Sequence, residues 1–220
     1  MKKVFLKIYL LLFISTTVIG QAQPFANEIA EFKKQDSISF PAAKSILFVG
    51  SSSFRMWKDV QDYFPGYTII NRGFGGSSFP DVIRYADEII IPYKPRQIVI
   101  YCGENDFAGN EKLEPEEVAE RFKTLFGVIR KKYKKVPIGY VSMKPSPSRK
   151  HLMAKFDAAN TLIKQFLETR KRTDYIDVYH AMLTEGGSPM PDIFLEDNLH
   201  MNAKGYRIWQ KIIEPYLIKN

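Results

Sequence analysis

The sequence predicts an α/β fold: five parallel strands in one sheet, covered by helices on both faces. Three observations predict it. After residue 40, short apolar runs of strand length alternate with longer segments whose apolar residues recur at helical spacing. The first of the short runs is apolar throughout, as in strands buried on both faces. Three of the runs end in turns rich in Gly, Ser or Asn, where a parallel sheet places its ligands.

The elements follow in order. Residues 25–35 form a short leading helix packed on the outside. Ser45-Ile46-Leu47-Phe48-Val49 is the first strand and stops at Gly50, before a helical segment from Phe54 to Tyr63. Tyr67-Thr68-Ile69-Ile70 is the second strand, ahead of the glycines at 73, 75 and 76. Val82, Ala86, Ile89 and Ile90 mark the next helix, and Gln97-Ile98-Val99-Ile100-Tyr101 the third strand. Val118, Phe122, Leu125, Phe126 and Ile129 line a longer helix that starts near Pro115, a residue favoured in a first turn. The fourth strand is Ile138-Gly139-Tyr140-Val141. A stripe from Leu152 to Leu167 follows, then a fifth strand, Tyr175-Ile176-Asp177-Val178, and a last helical stripe from Ile208 to Leu217.

The first 22 residues stand apart. Lys2, Lys3 and Lys7 form a basic head, Ile8 to Ile19 an apolar run broken only by Ser15, Thr16 and Thr17, and Gly20-Gln21-Ala22 a small-residue cleavage site. This is the pattern of a secretory signal peptide, cut after Ala22 with Gly20 as second choice. The apolar run is shorter than the roughly 20 residues needed to span a bilayer. The expected mature chain, 23–220, is one domain, exported to a periplasm or the medium, with no stable membrane anchor. Its single cysteine, Cys102, excludes an intrachain disulfide and Cys-cluster metal sites, and as a spare thiol it should be buried.

Composition excludes other classes. Hydrophobic residues make up 45% and charged residues 25% of the chain, so it is neither disordered nor low-complexity. The net charge of +8 falls to +5 once the leader's three lysines are removed. The densest basic run, residues 130–135, sits where a helix should end and is read as a solvated helix terminus rather than an anionic-surface patch. No nucleic acid is expected as a partner.

Three strand ends and one late motif carry the chemistry. Gly50-Ser51-Ser52-Ser53 puts hydroxyls at a strand-to-helix turn, beside free N–H groups that favour negative charge. Serine is also a common helix cap, so the turn is weak evidence alone. Gly73-Phe74-Gly75-Gly76 lacks both the lysine of a phosphate loop and the spacing of a dinucleotide site, and can instead present bare N–H groups to a substrate oxygen. In Gly103-Glu104-Asn105-Asp106 the asparagine amide is a neutral donor suited to an oxyanion. Asp197-Asn198-Leu199-His200 spaces a carboxylate and an imidazole so that one helical turn would pair them. Asp177 and His180 form a rival pair, set in a less favourable strand end.

Together and in this order, the motifs resemble the blocks of the SGNH hydrolases, also called GDSL-type esterases, from residue 45 to about 210. The resemblance implies a three-layer α/β/α sandwich of flavodoxin-like form. It puts the nucleophile at Ser52, the oxyanion hole at the N–H groups of Ser52 and Gly76 with the amide of Asn105, the orienting acid at Asp197 and the base at His200. One position departs from the pattern: the residue before the nucleophile is usually Asp and here is Ser51, which leaves Ser51 and Ser53 as rival hydroxyls. The reaction implied is acyl transfer from an ester to water, with no metal or organic cofactor.

The expected substrate is a short, acetyl-like ester of a carbohydrate, because the segments between strand ends leave no room for a lid over a fatty chain. The loop after the fourth strand, residues 142–149, is polar, basic and stiffened by two prolines. Lys144 and Arg149 on it, with Arg72 by the second block, are expected to rim the substrate. The rival readings are a lysophospholipase or thioesterase-type acyl hydrolase, a glycan-binding relative without turnover, and a nucleotide-binding protein, the last lacking a phosphate-loop lysine. The sequence does not give the oligomeric state.

Overall fold

The computed structural model of the protein describes residues 23–219, so the signal-peptide reading of 1–22 lies outside the described residues. Five strands, β1 (Ile46–Gly50), β2 (Ile69–Gly73), β3 (Gln97–Tyr101), β4 (Ile138–Val141) and β5 (Thr173–Ile176), form one sheet in the order β2-β1-β3-β4-β5, every pairing parallel. The chain runs outward from β1 to β2, then returns across it to β3. The β1/β3 boundary is therefore the topological switch point, where a doubly wound sheet opens its crevice.

Two cores flank the sheet because side chains alternate along each strand. Leu47, Val49, Ile98 and Ile100 pack on one face, against α1 (Ala26–Ile38), α4 (Phe79–Arg84), α5 (Ala86–Ile89), α7 (Pro115–Lys132) and α8 (Met153–Glu168). Ile46, Phe48, Val99 and Tyr101 pack on the other, against α2 (Ser52–Met56), α3 (Val60–Tyr63) and α9 (Ala203–Ile213). The short α6 (Glu104–Gly109) caps the end of β3. Pro115 opens α7, where its missing N–H costs nothing, and Glu114 and Glu117 cap the same turn reciprocally. Cys102 is buried, and burial pushes its thiol well above the ordinary range.

The boundaries shift for local reasons. The second strand starts at Ile69, because Tyr67 is still held in a turn: its N–H donates to the Phe64 carbonyl, and its own carbonyl accepts from Gln61. Asn71, Arg72 and Gly73 then complete the pairing with Phe48, Val49 and Gly50. The fifth strand ends at Ile176, because Ser142 Oγ takes the N–H groups of Val178 and Tyr179. The stripe at 82–90 is divided at Tyr85 into α4 and α5, and the segment 54–63 into α2 and α3. The last stripe stops at Ile213, ahead of Pro215 in a closing 3-10 turn.

Candidate active site

The turn that carries Ser51, Ser52 and Ser53 begins at Gly50, whose φ is +138°. A Cβ there would sit 1.9 Å from the Tyr101 carbonyl oxygen, so only glycine lets β1 and β3 close around the turn. Ser51 N–H donates to that same carbonyl at 2.9 Å. Ser52 is the first residue of α2, where backbone N–H groups have no intrahelical partner. Of the three serines, Ser51 and Ser53 are buried and Ser52 is partly open.

The Asp197–His200 segment is not a helical turn. It is a loop closed by an antiparallel bridge between Phe194 and Met201 and by Leu195 N–H on the His200 carbonyl at 2.8 Å. Asn198 takes the left-handed conformation, φ +54°, that lets the loop fold back. Asp197 Oδ1 accepts the N–H groups of Leu199 and His200, both at 2.9 Å, and Oδ2 meets His200 Nδ1 at 2.6 Å. Partial burial works against the charged form of Asp197. The His200 ring and the two N–H donors outweigh it and hold the carboxyl at about 2. Asn202 then caps α9, accepting from the N–H groups of Lys204 and Gly205.

His200 Nε2 lies 2.9 Å from Ser52 Oγ. Carboxylate, imidazole and hydroxyl thus stand in one hydrogen-bonded line, and neither Ser51 nor Ser53 meets the ring. Such a line can take the Ser52 proton onto Nε2 as Oγ attacks a carbonyl, the imidazolium being stabilised by Asp197. The rival pair also forms, with His180 Nδ1 2.8 Å from Asp177 Oδ2, but it is exposed and no hydroxyl meets its Nε2 among the described residues.

The expected oxyanion donors gather at the same place. Gly76, φ +69°, is exposed on the loop after β2, and its N–H donates to no described residue; nor does that of Ser52. Asn105 is the second residue of α6, just past β3. Its Nδ2 donates to Ser51 Oγ at 2.6 Å and to the Ser77 carbonyl at 3.1 Å, and its Oδ1 accepts from Arg149 Nη2 at 2.8 Å. Asp106, one residue on, accepts from Phe79 N–H and Arg121, and so ties α4 to α6.

Two of the three expected rim cations are elsewhere. Arg72 is buried beneath α1: its Nη2 pairs with Asp36 at 2.5 Å, its Nε donates to Tyr93 Oη at 2.7 Å, and its guanidinium lies over the rings of Phe32 and Tyr93. On β2 its side chain points into the sheet face rather than along the strand toward the substrate. Lys144 is 1% exposed, with Nζ 3.2 Å from Glu104 Oε2. The loop 142–149 is folded inward to neutralise that buried carboxylate and is not an open rim. Arg149 is at the site, but it faces Asn105 and Glu104 (Nη1 to Oε2, 3.3 Å).

Glu104 is the residue the sequence reading passed over. Burial works against its ionisation. Lys144, then Arg149, the Tyr101 hydroxyl and the Lys144 N–H outweigh it and hold the carboxyl below its ordinary range. Its only sequence signal is an acid placed directly after a strand-end glycine, and its partners lie 40 and 45 positions further on.

Comparison with known proteins agrees with this architecture. The family model described as GDSL-like Lipase/Acylhydrolase matches residues 36–208. No match is found among curated proteins. Among solved structures, one from Streptococcus pneumonia, provisionally described as a platelet activating factor, superposes with a TM-score of 0.76 at 19% identity, covering 87% of this chain and 92% of that one. A GDSL-like lipase from Bacteroides thetaiotaomicron gives 0.71 at 18%, covering 86% and 96%. A catalytic mutant of an acetylxylan esterase from Geobacillus stearothermophilus gives 0.62 at 16%, covering 80% and 94%. The likeness to these structures is one of fold, and with the family match over most of its length the chain belongs to the GDSL-like lipases and acylhydrolases, a family of carboxylic ester hydrolases.

Proposed function

We propose that this chain is an exported esterase that removes short acyl groups, acetyl in the simplest case, from a carbohydrate or similar polyol. The observation that carries the reading is the contact of His200 with Ser52, backed by Asp197, with the Asn105 amide on the hydroxyl of the adjacent Ser51. In this mechanism His200 Nε2 takes the proton as Ser52 Oγ bonds to the acyl carbon. The carbonyl electron pair moves onto oxygen, where the Ser52 and Gly76 N–H groups receive it, joined by Asn105 Nδ2 as it gives up its bond to Ser51 Oγ. The pair then re-forms the carbonyl, the alcohol leaves with the proton from His200, and water repeats the sequence on the acyl-enzyme.

The polyol side of the reading is supported by the surroundings. A cleft of about 560 Å3 lies between α1 and α2, lined by Glu28, Glu31, Gln35, Arg55 and Lys58, with Phe32 on its wall. Arg55 stands one turn beyond Ser52, and Glu28 holds both Arg55 (2.6 Å) and the N–H of Gly75, next to Gly76. A surface of alternating donors and acceptors beside one aromatic ring suits hydroxyl-rich alcohols better than fatty chains. The acetylxylan esterase among the structural neighbours has the same fold. The N-terminal leader pattern supports export.

The test is a chain-length profile on p-nitrophenyl esters together with acetylated oligosaccharides. A steep fall in kcat/KM from acetyl to octanoyl, with turnover of the acetylated sugar, is expected. A maximum at eight carbons or beyond would favour the lysophospholipase reading, and sugar binding without acyl release would favour a glycan-binding relative.

A further inference from the structure

Parallel strands joined through helices put every helix-to-strand turn at one end of the sheet, opposite the catalytic end. In this protein four of the five are cationic; the turn before β2, residues 64–68, carries no charge. Lys44 precedes β1, Lys94 and Arg96 precede β3, the run 130–135 closes α7 before β4, and the run 170–172 precedes β5.

Direct contacts join the turns into one surface. Lys44 N–H donates to the Lys94 carbonyl at 3.2 Å, and Lys94 N–H to Tyr133 Oη at 3.2 Å. The Arg130 guanidinium spans from α7 to the carbonyl of Arg172 at 3.0 Å, and Arg96 Nη1 reaches the Lys219 carbonyl at 3.1 Å. A concave patch of about 520 Å3 between two of these turns is lined by Arg96, Lys132, Tyr133, Lys134 and Lys135. Apart from Arg96 and Arg130, which are bound to backbone carbonyls, the cations stand exposed, and none of the set is ion-paired to a carboxylate among the described residues. The acids nearest them in the chain are Glu168 and Asp174, flanking the run 170–172, Glu88 before Lys94 and Asp36 before Lys44; Glu88 and Asp36 are paired with Lys33 and Arg72.

The backbone gives a second, independent observation. Lys44, Lys94 and Arg172 have φ of +61°, +46° and +60°, the left-handed region that glycine occupies without strain. Three of these turns therefore hold a cation where the backbone favours glycine. The third observation is apolar. Phe40 is exposed and stacked on Tyr93, directly before Lys94. The exposed Tyr216 and Ile218 are held through their backbone by the side chain of Gln97, the first residue of β3. Exposed Ile38 is two residues from Phe40. Of the large exposed hydrophobic side chains among the described residues, only Leu195 lies elsewhere, on the His200 loop.

Cations alone would suit any polyanion. Cations bordered by exposed aromatic and aliphatic side chains suit a surface that is negatively charged and apolar beneath. We propose that this end of the molecule docks reversibly on an anionic phospholipid bilayer, with Ser52 and His200 facing away from it. No helix among the described residues is long and apolar enough to cross a membrane, so the attachment is peripheral. The basic run at 130–135 looked like a solvated helix end in the sequence, and the fold adds the other turns that surround it. The proposal does not depend on the esterase reading, but it bears on it: a site turned away from the bilayer receives its ester from the aqueous side.

The test uses residues 23–220, which hold every element described above, in flotation with mixed phosphatidylglycerol–phosphatidylcholine vesicles and with pure phosphatidylcholine vesicles. Binding to the mixed vesicles at low salt, loss at high salt and no binding to the neutral vesicles are expected. Lys94→Glu/Lys132→Glu/Lys134→Glu/Lys135→Glu should lower partitioning by at least ~600-fold, at about fivefold for each of the four cations, with melting temperature and turnover of p-nitrophenyl acetate unchanged. Phe40→Ser/Ile218→Ser should lower it about tenfold without altering its salt dependence. No binding to the anionic vesicles at low salt, or binding indifferent to the charge reversals, would overturn the proposal. So would equally tight binding of soluble polygalacturonate, unaffected by Phe40→Ser/Ile218→Ser, which would assign the surface to acidic polysaccharide.

Discussion

Arg149 Nη2 donates to Asn105 Oδ1 at 2.8 Å, and that contact decides which end of the Asn105 amide faces the nucleophile turn. A guanidinium has only donors, so it can hold only the oxygen end, and Nδ2 is left toward Ser51. Arg149→Met should therefore lower kcat about 10- to 100-fold with little change in KM, less than the ~100- to 1,000-fold typical of losing a whole oxyanion donor. In an Asn105→Ala background the same change should cost almost nothing, because the group it positions is gone. Steady-state kinetics of the four proteins in that cycle check this. Equal losses in both backgrounds would assign Arg149 a separate role.

Ser52→Ala should abolish ester turnover, with a loss of up to about a millionfold, while the protein stays folded. Ser51→Ala removes only the acceptor of one Asn105 N–H and should leave most of the rate. A burst of p-nitrophenol in wild-type protein, absent in Ser52→Ala and retained in Ser51→Ala, is the expected pattern. Retained turnover in Ser52→Ala would move the nucleophile to a neighbouring hydroxyl.

Asp197 is held at about 2 in the folded protein, below its ordinary 3.8. A carboxyl lowered by folding stabilises the native state fully above its unfolded value and loses that stabilisation as pH falls through its folded one. The wild-type melting temperature should therefore drop between about pH 4 and pH 2 by more than that of Asp197→Asn. At neutral pH Asp197→Asn should lose about 10⁴-fold in kcat, since an amide leaves the imidazolium without its counter-charge. Melting curves against pH, together with rates, separate the two effects.

Glu104→Gln leaves the Lys144 ammonium buried without its counter-ion. Breaking one side of a buried pair costs about 3–5 kcal/mol, so denaturant unfolding should show a loss of that size. Glu104→Gln/Lys144→Met should regain much of it. A single variant as stable as wild type would mean that the ammonium finds another partner.

The strand order and the site followed from different kinds of legibility. Apolar runs at 46–50 and 97–101 are visible because buried parallel strands need them, and the glycines and serines that end them are visible because the turns need small residues. Ser52, Asn105 and His200 could be singled out because their short local motifs, each weak alone, stand together in the order of the SGNH hydrolase blocks. The partners of Arg72, Lys144 and Arg149 could not, because a cation's role depends on which carboxylate the fold brings to it. Asp36 is 36 positions from Arg72 and Glu104 is 40 from Lys144, and no local pattern links either pair. The Asp197–His200 spacing suggested a helix for the same reason: a three-residue separation is common to helical turns and to loops closed by a bridge.

His200 and Ser52 are 148 positions apart, and the nucleophile helix is held to the far end of the chain by Tyr206 Oη on the Ser53 carbonyl and by the stacking of Tyr206 on Trp57. The imidazole is thus synthesised 148 positions after the hydroxyl it meets. Under the proposed mechanism, a chain stopped before residue 200 would hold the Ser52 hydroxyl without the imidazole that takes its proton. If Ser52 and His200 act as proposed, turnover also reports the joining of two segments 148 positions apart: any variant that loosens the seat of Tyr206 on Trp57 and on the Ser53 carbonyl should lose rate without touching either reacting group.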